Sequence, residues 1–174
     1  MSPYRIAERW LLADGLLSAV LEEFSIDGRH NREGVAFFLG RHHGQEAHVT
    51  HLVVLRGERL VKHEDHLHIP AALMNEVTDH VIEQQGVLLG QVHSHGPGYG
   101  VDLSYPDHFY GIRAPGFLSI VAPDFGLRPD TRLEDCGVHV FDATRGFRRM
   151  GNGEVGQRFG LLAGARVALL TAQL

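Results

Sequence analysis

The stretch GQVHSHGPGYGVDLSYPDHFY, residues 90–110, restricts the fold more than any other part of the chain. The apolar run VLLGQVH (87–93) predicts a buried strand, and SYPDHFYG (104–111) predicts a helix that begins with a serine cap. The glycine-rich GPGYG between them can bend, because glycine adopts turn conformations at little steric cost. A strand, a bend and a helix in this order predict that the strand ends beside the first turn of the helix.

His93 and His95 lie where the predicted strand ends, and residues i and i+2 of a strand point to the same face. Two neutral imidazoles that aim at one point, with metal–nitrogen bonds of about 2 Å, are a common beginning of a zinc site. Asp107 follows His95 by twelve residues and falls in the first turn of the predicted helix. These three ligands would leave the fourth tetrahedral position open for water, as in catalytic zinc sites.

Two further side chains would complete the chemistry of an amide hydrolase. Such an enzyme needs a carboxylate near the metal but not bound to it, which moves a proton from water to the leaving amine. Glu33 precedes the apolar run GVAFFLGR (34–41), and it would reach the site if that strand lies beside VLLGQVH. Ser104 and Asp107 share a helix face, so the Ser104 hydroxyl could donate to an oxyanion.

Each part of this pattern also has a simpler interpretation. Ser104 and Asp107 can form a capping box, and Glu33 alone is typical of a solvated strand entry. An isolated His-x-His pair usually binds nothing. The order of buried strand, His-x-His, glycine-rich bend and Ser-x-x-Asp, taken together, carries the inference of a metal site.

The whole chain, 1–174, predicts a single α/β (α+β) domain with a mixed sheet flanked by helices. For residues 4–12 the pattern leaves a strand and a helix start open, and 57–68 is interpreted as a loop or irregular strand. The tail 154–174 has apolar residues at helical spacing, which fits a packing helix or a dimer contact. Helices are predicted at 15–24 and 70–85, and strands at 34–41, 48–56, 87–93, 117–123 and 136–142, with 146–150 pairing with the last strand.

Composition limits the classes of partner and the cellular compartment that we expect for this protein. A net charge of -5 argues against nucleic acid as the main partner, and no apolar run approaches the roughly 20 residues that span a bilayer. The N-terminal sequence has no secretory signal pattern. Cys136 is the only cysteine, so an internal disulfide and a cysteine-based zinc site are excluded, and a cytoplasmic protein is expected.

Glu33, the motif H93-S-H95 and the motif S104-x-x-D107 together resemble the JAMM signature of MPN+/JAB-domain metalloproteases. The resemblance covers about residues 10–142 and implies an MPN/JAB-like (cytidine-deaminase-like) fold. It implies that the two histidines and the aspartate bind one Zn²⁺, that the glutamate is the general base and that the serine stabilises the oxyanion. The chain departs from the family in two places: Gly96 stands where proline is usual, and eight residues, one more than usual, separate His95 from Ser104.

The resemblance also implies a substrate. Family members hydrolyse the amide or isopeptide bond after the C-terminal glycine of a ubiquitin-like modifier, and small prokaryotic members process or deconjugate such modifiers. Some act beside E1- and E2-like enzymes in bacterial antiphage defence, so these are expected operon partners. The modifier's tail would add as a strand to a sheet edge. We expect His51, Phe37 and the segment 57–68 near the substrate surface.

The sequence is also compatible with other functions. One is a JAB-type hydrolase that acts on a sulfur-carrier protein or a small-molecule amide. Another is a non-catalytic MPN-like scaffold, which would lack a ligand or the base. Amidohydrolase barrels also carry His-x-His, but they need roughly 250 residues. Cupins need a glutamate a few residues after the histidines, where Asp102 is a poor substitute.

Overall fold

A nine-stranded mixed sheet forms the centre of the computed structural model, which describes residues 4–174. Residues 1–3 of the predicted domain lie outside the described part. The strands are β1 (Arg9–Asp14), β2 (Val35–His43), β3 (Glu46–Arg56), β4 (Val61–Lys62), β5 (Leu67–His68), β6 (Val87–Ser94), β7 (Leu118–Ala122), β8 (Gly137–Asp142), β9 (Gly146–Arg149), β10 (Phe159–Arg166) and β11 (Ala168–Gln173), and the α-helices are α1 (Leu16–Gly28), α2 (Ala71–Glu83), α3 (Tyr105–Tyr110) and α4 (Asn152–Arg158).

The order of strands in the sheet is β10-β1-β3-β2-β6-β7-β8-β9, with β11 also paired to β3. Strand β2 is antiparallel to both β3 and β6, whereas β6 and β7 are parallel. Strand β6 therefore lies in the middle of the sheet, beside the strand that Glu33 precedes. The predicted α/β domain with a mixed sheet and flanking helices is confirmed.

Helices cover both faces of the sheet, which explains why its inner strands are almost continuously apolar. On one face, α1 packs Val20 and Phe24 against a core that includes Phe38 of β2. On the other face, α2 packs Leu73 and Val77 against a core that includes Phe37. Successive residues of β2 thus enter opposite cores, so a strand at this position needs apolar side chains on both faces.

Of the two interpretations of the tail 154–174, the packing helix is wrong and the dimer contact stays a prediction. Only α4 is helical there; β10 then pairs in parallel with β1, and β11 pairs in parallel with β3. Gly160 and Gly164 weaken a helix in this segment, and Gly164 has a φ of 75° that a helix does not contain. Pairing to open strand edges satisfies the backbone instead, and it buries Ala172 completely.

Two segments whose secondary structure the sequence did not decide contain strands. Residues 4–12 contain the start of β1, which lies between β3 and β10. Residues 57–68 contain the short hairpin of β4 and β5. Within residues 4–174, no helix has both the length and the apolar character to cross a membrane.

Candidate metal centre

The end of β6 and the residue that follows it present two buried imidazoles to one point. His93 and His95 are 2% and 7% exposed, and their Nε2 atoms lie 3.2 Å apart. Ser94 between them is fully buried, and its backbone N–H donates to the Gly34 carbonyl at 3.0 Å. Its hydroxyl accepts the Gly34 N–H at 2.8 Å, so β6 is fixed to the chain entering β2 at the level of the histidines.

Helix α3 brings Asp107 to the same point. The Asp107 Oδ2 atom lies 3.4 Å from His93 Nε2 and 3.5 Å from His95 Nε2. With tetrahedral geometry and bonds of about 2.0–2.1 Å, ligand atoms are about 3.3–3.4 Å apart. An octahedral site with bonds of that length would need about 2.9–3.0 Å. The three atoms therefore match one face of a tetrahedron, and this cluster can hold a metal ion.

Hydrogen bonds outside the cluster orient two of its members. His95 Nδ1 lies 3.1 Å from the Gly100 carbonyl, so an Nδ1–H donor leaves the Nε2 lone pair for an ion. Asp107 Oδ2 accepts the Ser104 hydroxyl at 2.7 Å and the Ser104 N–H at 2.8 Å. Burial raises the pKa of Asp107, but hydrogen bonds from His93 and His95 outweigh it and hold that pKa below its ordinary value. The carboxylate is thus anionic and prepared for a cation.

Glu33 lies beside the cluster because of the register between β2 and β6. Val35 pairs with His93 and Gly34 with Ser94, so Glu33 falls opposite His95. The Glu33 backbone N–H donates to the His63 carbonyl of the β4–β5 hairpin at 2.8 Å. Burial raises the pKa of Glu33 from 4.5 to about 7, opposed by His95 and assisted by Asp107. A carboxyl group with a pKa near neutrality suits a general acid–base role.

The raised pKa of Glu33 predicts a pH-dependent effect on stability in metal-free protein. Both folded and unfolded chains hold the Glu33 proton below about pH 4.5, but above about pH 7 the fold must keep an anion in a buried place. We expect Glu33→Gln to raise the free energy of unfolding by up to roughly 3 kcal/mol at pH 8 and to change little at pH 4. Urea unfolding with a chelator present measures this, with Glu22→Gln on the exposed side of α1 as the control. An equal effect at both pH values would contradict the burial of an ionisable group here.

Gly96, the first departure from the family pattern, has a steric reason. A Cβ at this position would lie 2.6 Å from the ring of Phe125. Phe125 is buried and donates its N–H to the His95 carbonyl at 2.8 Å, so its ring occupies the space a proline would use. The longer loop turns at Gly98 and Gly100, which have φ values of 86° and 73°. Both departures thus leave Asp107 Oδ2 within 3.5 Å of the imidazoles.

This contact predicts that Gly96→Ala lowers the free energy of unfolding by about 1–3 kcal/mol through overpacking against Phe125. Gly156→Ala is the matched control, because a Cβ there meets nothing within 4 Å and the site is helical. That control should be neutral or slightly stabilising. Denaturant unfolding checks both, and the double variant Gly96→Ala/Phe125→Leu should recover part of the loss. Equal effects of the two glycine changes would contradict the steric account.

Three expected substrate-surface positions have different outcomes. Phe37 lies in the core at 1% exposure, and His51 pairs with Leu39, in the half of β2 away from Glu33. His51 lines a cleft of about 290 Å³ there, together with Arg41 and Gln84. The segment 57–68 does approach the site, through His63. Phe37 and His51 are therefore not brought to the cluster.

Several residues that support the site were not identified from the sequence. The Ser94 hydroxyl, the Gly100 carbonyl and the Phe125 ring all contact the residues that carry or flank the cluster. The only signal for Ser94 was its place between two histidines in a buried strand. Gly100 and Phe125 act through contacts between loops, which local sequence patterns do not predict.

Comparison with known proteins gives a likeness of fold. No protein-family model matches the sequence, and neither does any curated protein. The solution structure of a protein from Desulfitobacterium hafniense is similar, with a TM-score of 0.59 and 15% identity over 92% of each chain. A solution structure from Salinibacter ruber (strain DSM 13855) has a TM-score of 0.59 and 16% identity, covering 88% of this chain and 92% of that one. At such identity the likeness shows the fold alone.

Proposed function

We propose that this chain is a zinc-dependent peptidase or isopeptidase of the JAMM/MPN+ type, with an MPN/JAB-like fold. Its substrate would be the amide bond after the C-terminal glycine of a ubiquitin-like modifier, in processing or deconjugation. The observation that carries the proposal is the triangle of His93, His95 and Asp107 atoms at 3.2–3.5 Å, with the buried Glu33 carboxyl alongside. One zinc ion per chain fits the spacing and the mixed nitrogen and oxygen ligands.

The residues divide the work of hydrolysis. Bound zinc would polarise the scissile carbonyl and make water a better nucleophile near neutral pH. Glu33 takes the proton from the attacking water and delivers it to the amine nitrogen as the carbon–nitrogen bond breaks. His93, His95 and Asp107 would hold the ion, and the burial of the two imidazoles shields that side of the site from water. The products are a free glycine carboxylate and an amine.

Ser104 serves two roles in the proposal, and a single substitution separates them. Its hydroxyl accepts the Asp107 N–H at 3.3 Å as a helix cap and donates to the Asp107 carboxylate. We expect Ser104→Ala to lower kcat about 10²–10³-fold if the hydroxyl turns to the oxyanion during turnover. Loss of the cap alone would lower stability by about 1 kcal/mol and leave kcat nearly unchanged.

The control for Ser104→Ala is Thr144→Ala. Thr144 donates its hydroxyl and its N–H to Asp142 in the β8–β9 turn, so it repeats the hydroxyl–carboxylate arrangement away from the site. Steady-state kinetics and denaturant unfolding are measured for both variants. A normal kcat in Ser104→Ala would remove the oxyanion role from the proposal.

Exposed aromatic residues favour a protein substrate over a small amide. Among residues 4–174, the Phe, Trp and Tyr side chains that are more than half exposed are Tyr99, Tyr105, Phe109 and Tyr110. All lie in the segment that carries Asp107. Aromatic side chains are enriched in protein interfaces, whereas a small amide needs little more than the cleft itself.

The direct test combines metal analysis with cleavage. Purified protein should contain one zinc per chain by elemental analysis, and it should cleave a fusion in which ubiquitin precedes a reporter protein. A chelator should abolish cleavage, and added zinc should restore it. Cleavage that persists after complete removal of metal would exclude zinc hydrolysis. Neighbouring genes for a ubiquitin-like protein and for E1- and E2-like enzymes are the further expectation.

A further inference from the structure

The loop between His95 and Ser104 contacts β8 and β9 through residues that are not members of the metal cluster. From this attachment we infer that Arg149 and Asp102 are positioning residues for the ligand His95, acting through the Gly100 carbonyl. The inference rests on the proposed metal site and adds residues outside the JAMM signature to it.

The loop has little to fix its own shape. Gly98 and Gly100 both have positive φ, and a Cβ at either position would meet nothing within 4 Å. One internal hydrogen bond, from the Tyr99 N–H to the Gly96 carbonyl at 3.2 Å, closes its first turn. A segment so rich in glycine has many alternative conformations, so contacts beyond it must select one.

Phe125 packs on Gly96 at the start of the loop and Leu103 is buried at its end, and β8 and β9 contact the part between them. Asp102 Oδ1 lies 2.5 Å from a guanidinium nitrogen of Arg149 and 3.9 Å from Nε2 of the buried His139. The neighbouring Val101 carbonyl approaches Gly137 so closely that a Cβ there would lie 1.7 Å from the oxygen. Val101 and Asp102 thus hold the loop against the start of β8 and the end of β9.

Asp102 lies two residues in sequence from Gly100, which contacts the ligand His95, and two residues from Ser104, which contacts the ligand Asp107. Gly100, two residues before Asp102, offers the carbonyl that lies 3.1 Å from His95 Nδ1 and sets the imidazole's orientation. Ser104, two residues after it, starts α3 and hydrogen-bonds the Asp107 carboxylate. Release of Asp102 would therefore move the acceptor that holds His95 and loosen the approach to Asp107.

Loss of the Arg149–Asp102 pair should affect zinc affinity more than the free energy of unfolding. The side chains of Arg149 and Asp102 are 44% and 73% exposed, and an exposed ion pair contributes little to folding. Groups that hydrogen-bond a metal ligand directly typically contribute about 10–100-fold to metal binding, so residues that position such a group should contribute a smaller part of this. Zinc affinity should fall while the free energy of unfolding of metal-free protein stays nearly constant.

The experiment compares Arg149→Met and Asp102→Asn with Arg148→Met. Arg148 is the adjacent residue of β9, has a similar exposure of 39%, and pairs with Glu154 at 2.7 Å instead of with the loop. Zinc dissociation constants are measured by competition with a chromophoric chelator at fixed pH and salt. We expect a weakening of about 3–5-fold for the first two variants and less than about 2-fold for Arg148→Met. The charge-reversed double variant Asp102→Arg/Arg149→Asp should recover part of the affinity.

Two failures have different signatures. Wild-type protein that binds no zinc would overturn the proposed function and this inference with it. Wild-type protein that binds zinc, with Arg149→Met and Asp102→Asn as tight as Arg148→Met, would overturn this inference alone. Nitrogen NMR of metal-free protein gives a second readout: the proton on His95 Nδ1 should shift or broaden in Arg149→Met and stay unchanged in Arg148→Met.

Discussion

Asp107→Ala and His95→Ala proteins are expected to lose bound zinc and hydrolytic activity together. Each substitution removes one of three ligand atoms that lie within 3.5 Å of one another, so two protein ligands remain. The affinity loss should exceed the roughly 100-fold upper range for residues that only orient a ligand. Zinc per chain after dialysis, measured beside cleavage of the ubiquitin fusion, checks the prediction.

His108→Ala is the matched control, because His108 is an exposed residue of the same helix, adjacent to Asp107. It should retain zinc and activity. Since Asp107→Ala also removes a helix cap, Asp107→Asn provides a second variant that keeps an acceptor oxygen but lacks the charge. Full zinc content in all the ligand variants would contradict a site formed by these side chains.

Glu33→Gln is expected to keep its zinc and lose most of its hydrolysis. Glu33 lies beside the cluster and is not one of its three members, so the ion should remain bound. An amide cannot accept the proton of the attacking water, and loss of general base catalysis typically lowers turnover about 10²–10⁴-fold. Zinc content and kcat of the same preparation give the two readouts.

Glu64→Gln provides the comparison for this variant. Glu64 is an exposed carboxylate of the neighbouring β4–β5 hairpin, close in sequence to the His63 carbonyl that Glu33 contacts. It should retain nearly full turnover. If Glu33→Gln lost zinc as completely as Asp107→Ala, Glu33 would have to be treated as a ligand, and its separate role would be abandoned.

Local pattern was sufficient for the elements with strong periodicity and for the three members of the cluster. His93 in β6 and His95 just after it keep the strand spacing that brings both imidazoles together, and the capping box fixes Asp107 at the start of α3. The sequence could place Glu33 at the site only on the condition that β2 pairs with β6. That pairing joins distant parts of the chain, since Gly34 and Ser94 are 60 residues apart. Sequence reveals such pairing poorly, since many strands offer similar edges.

The strands of the tail 154–174 and the Arg149–Asp102 contact could not be predicted from local sequence, for the same physical reason. Apolar spacing in 154–174 fits a helix, but open edges on β1 and β3 provide hydrogen-bond partners that only the folded sheet contains. The contact between Arg149 and Asp102 joins residues 47 positions apart through a loop whose glycines carry little conformational preference. Such contacts depend on tertiary placement, and their effect is visible only in the assembled structure.

None of the six residues of α3 is buried, and this determines how an ion would leave. His93 lies in β6, in the middle of the sheet, and His95 follows that strand directly. The carboxylate belongs to a six-residue helix of less than two turns that begins with a capping box. Brief fraying of that helix would free one coordination bond without disturbing the sheet. Metal exchange should therefore be faster than global unfolding, with an off-rate that follows the opening of a single short helix.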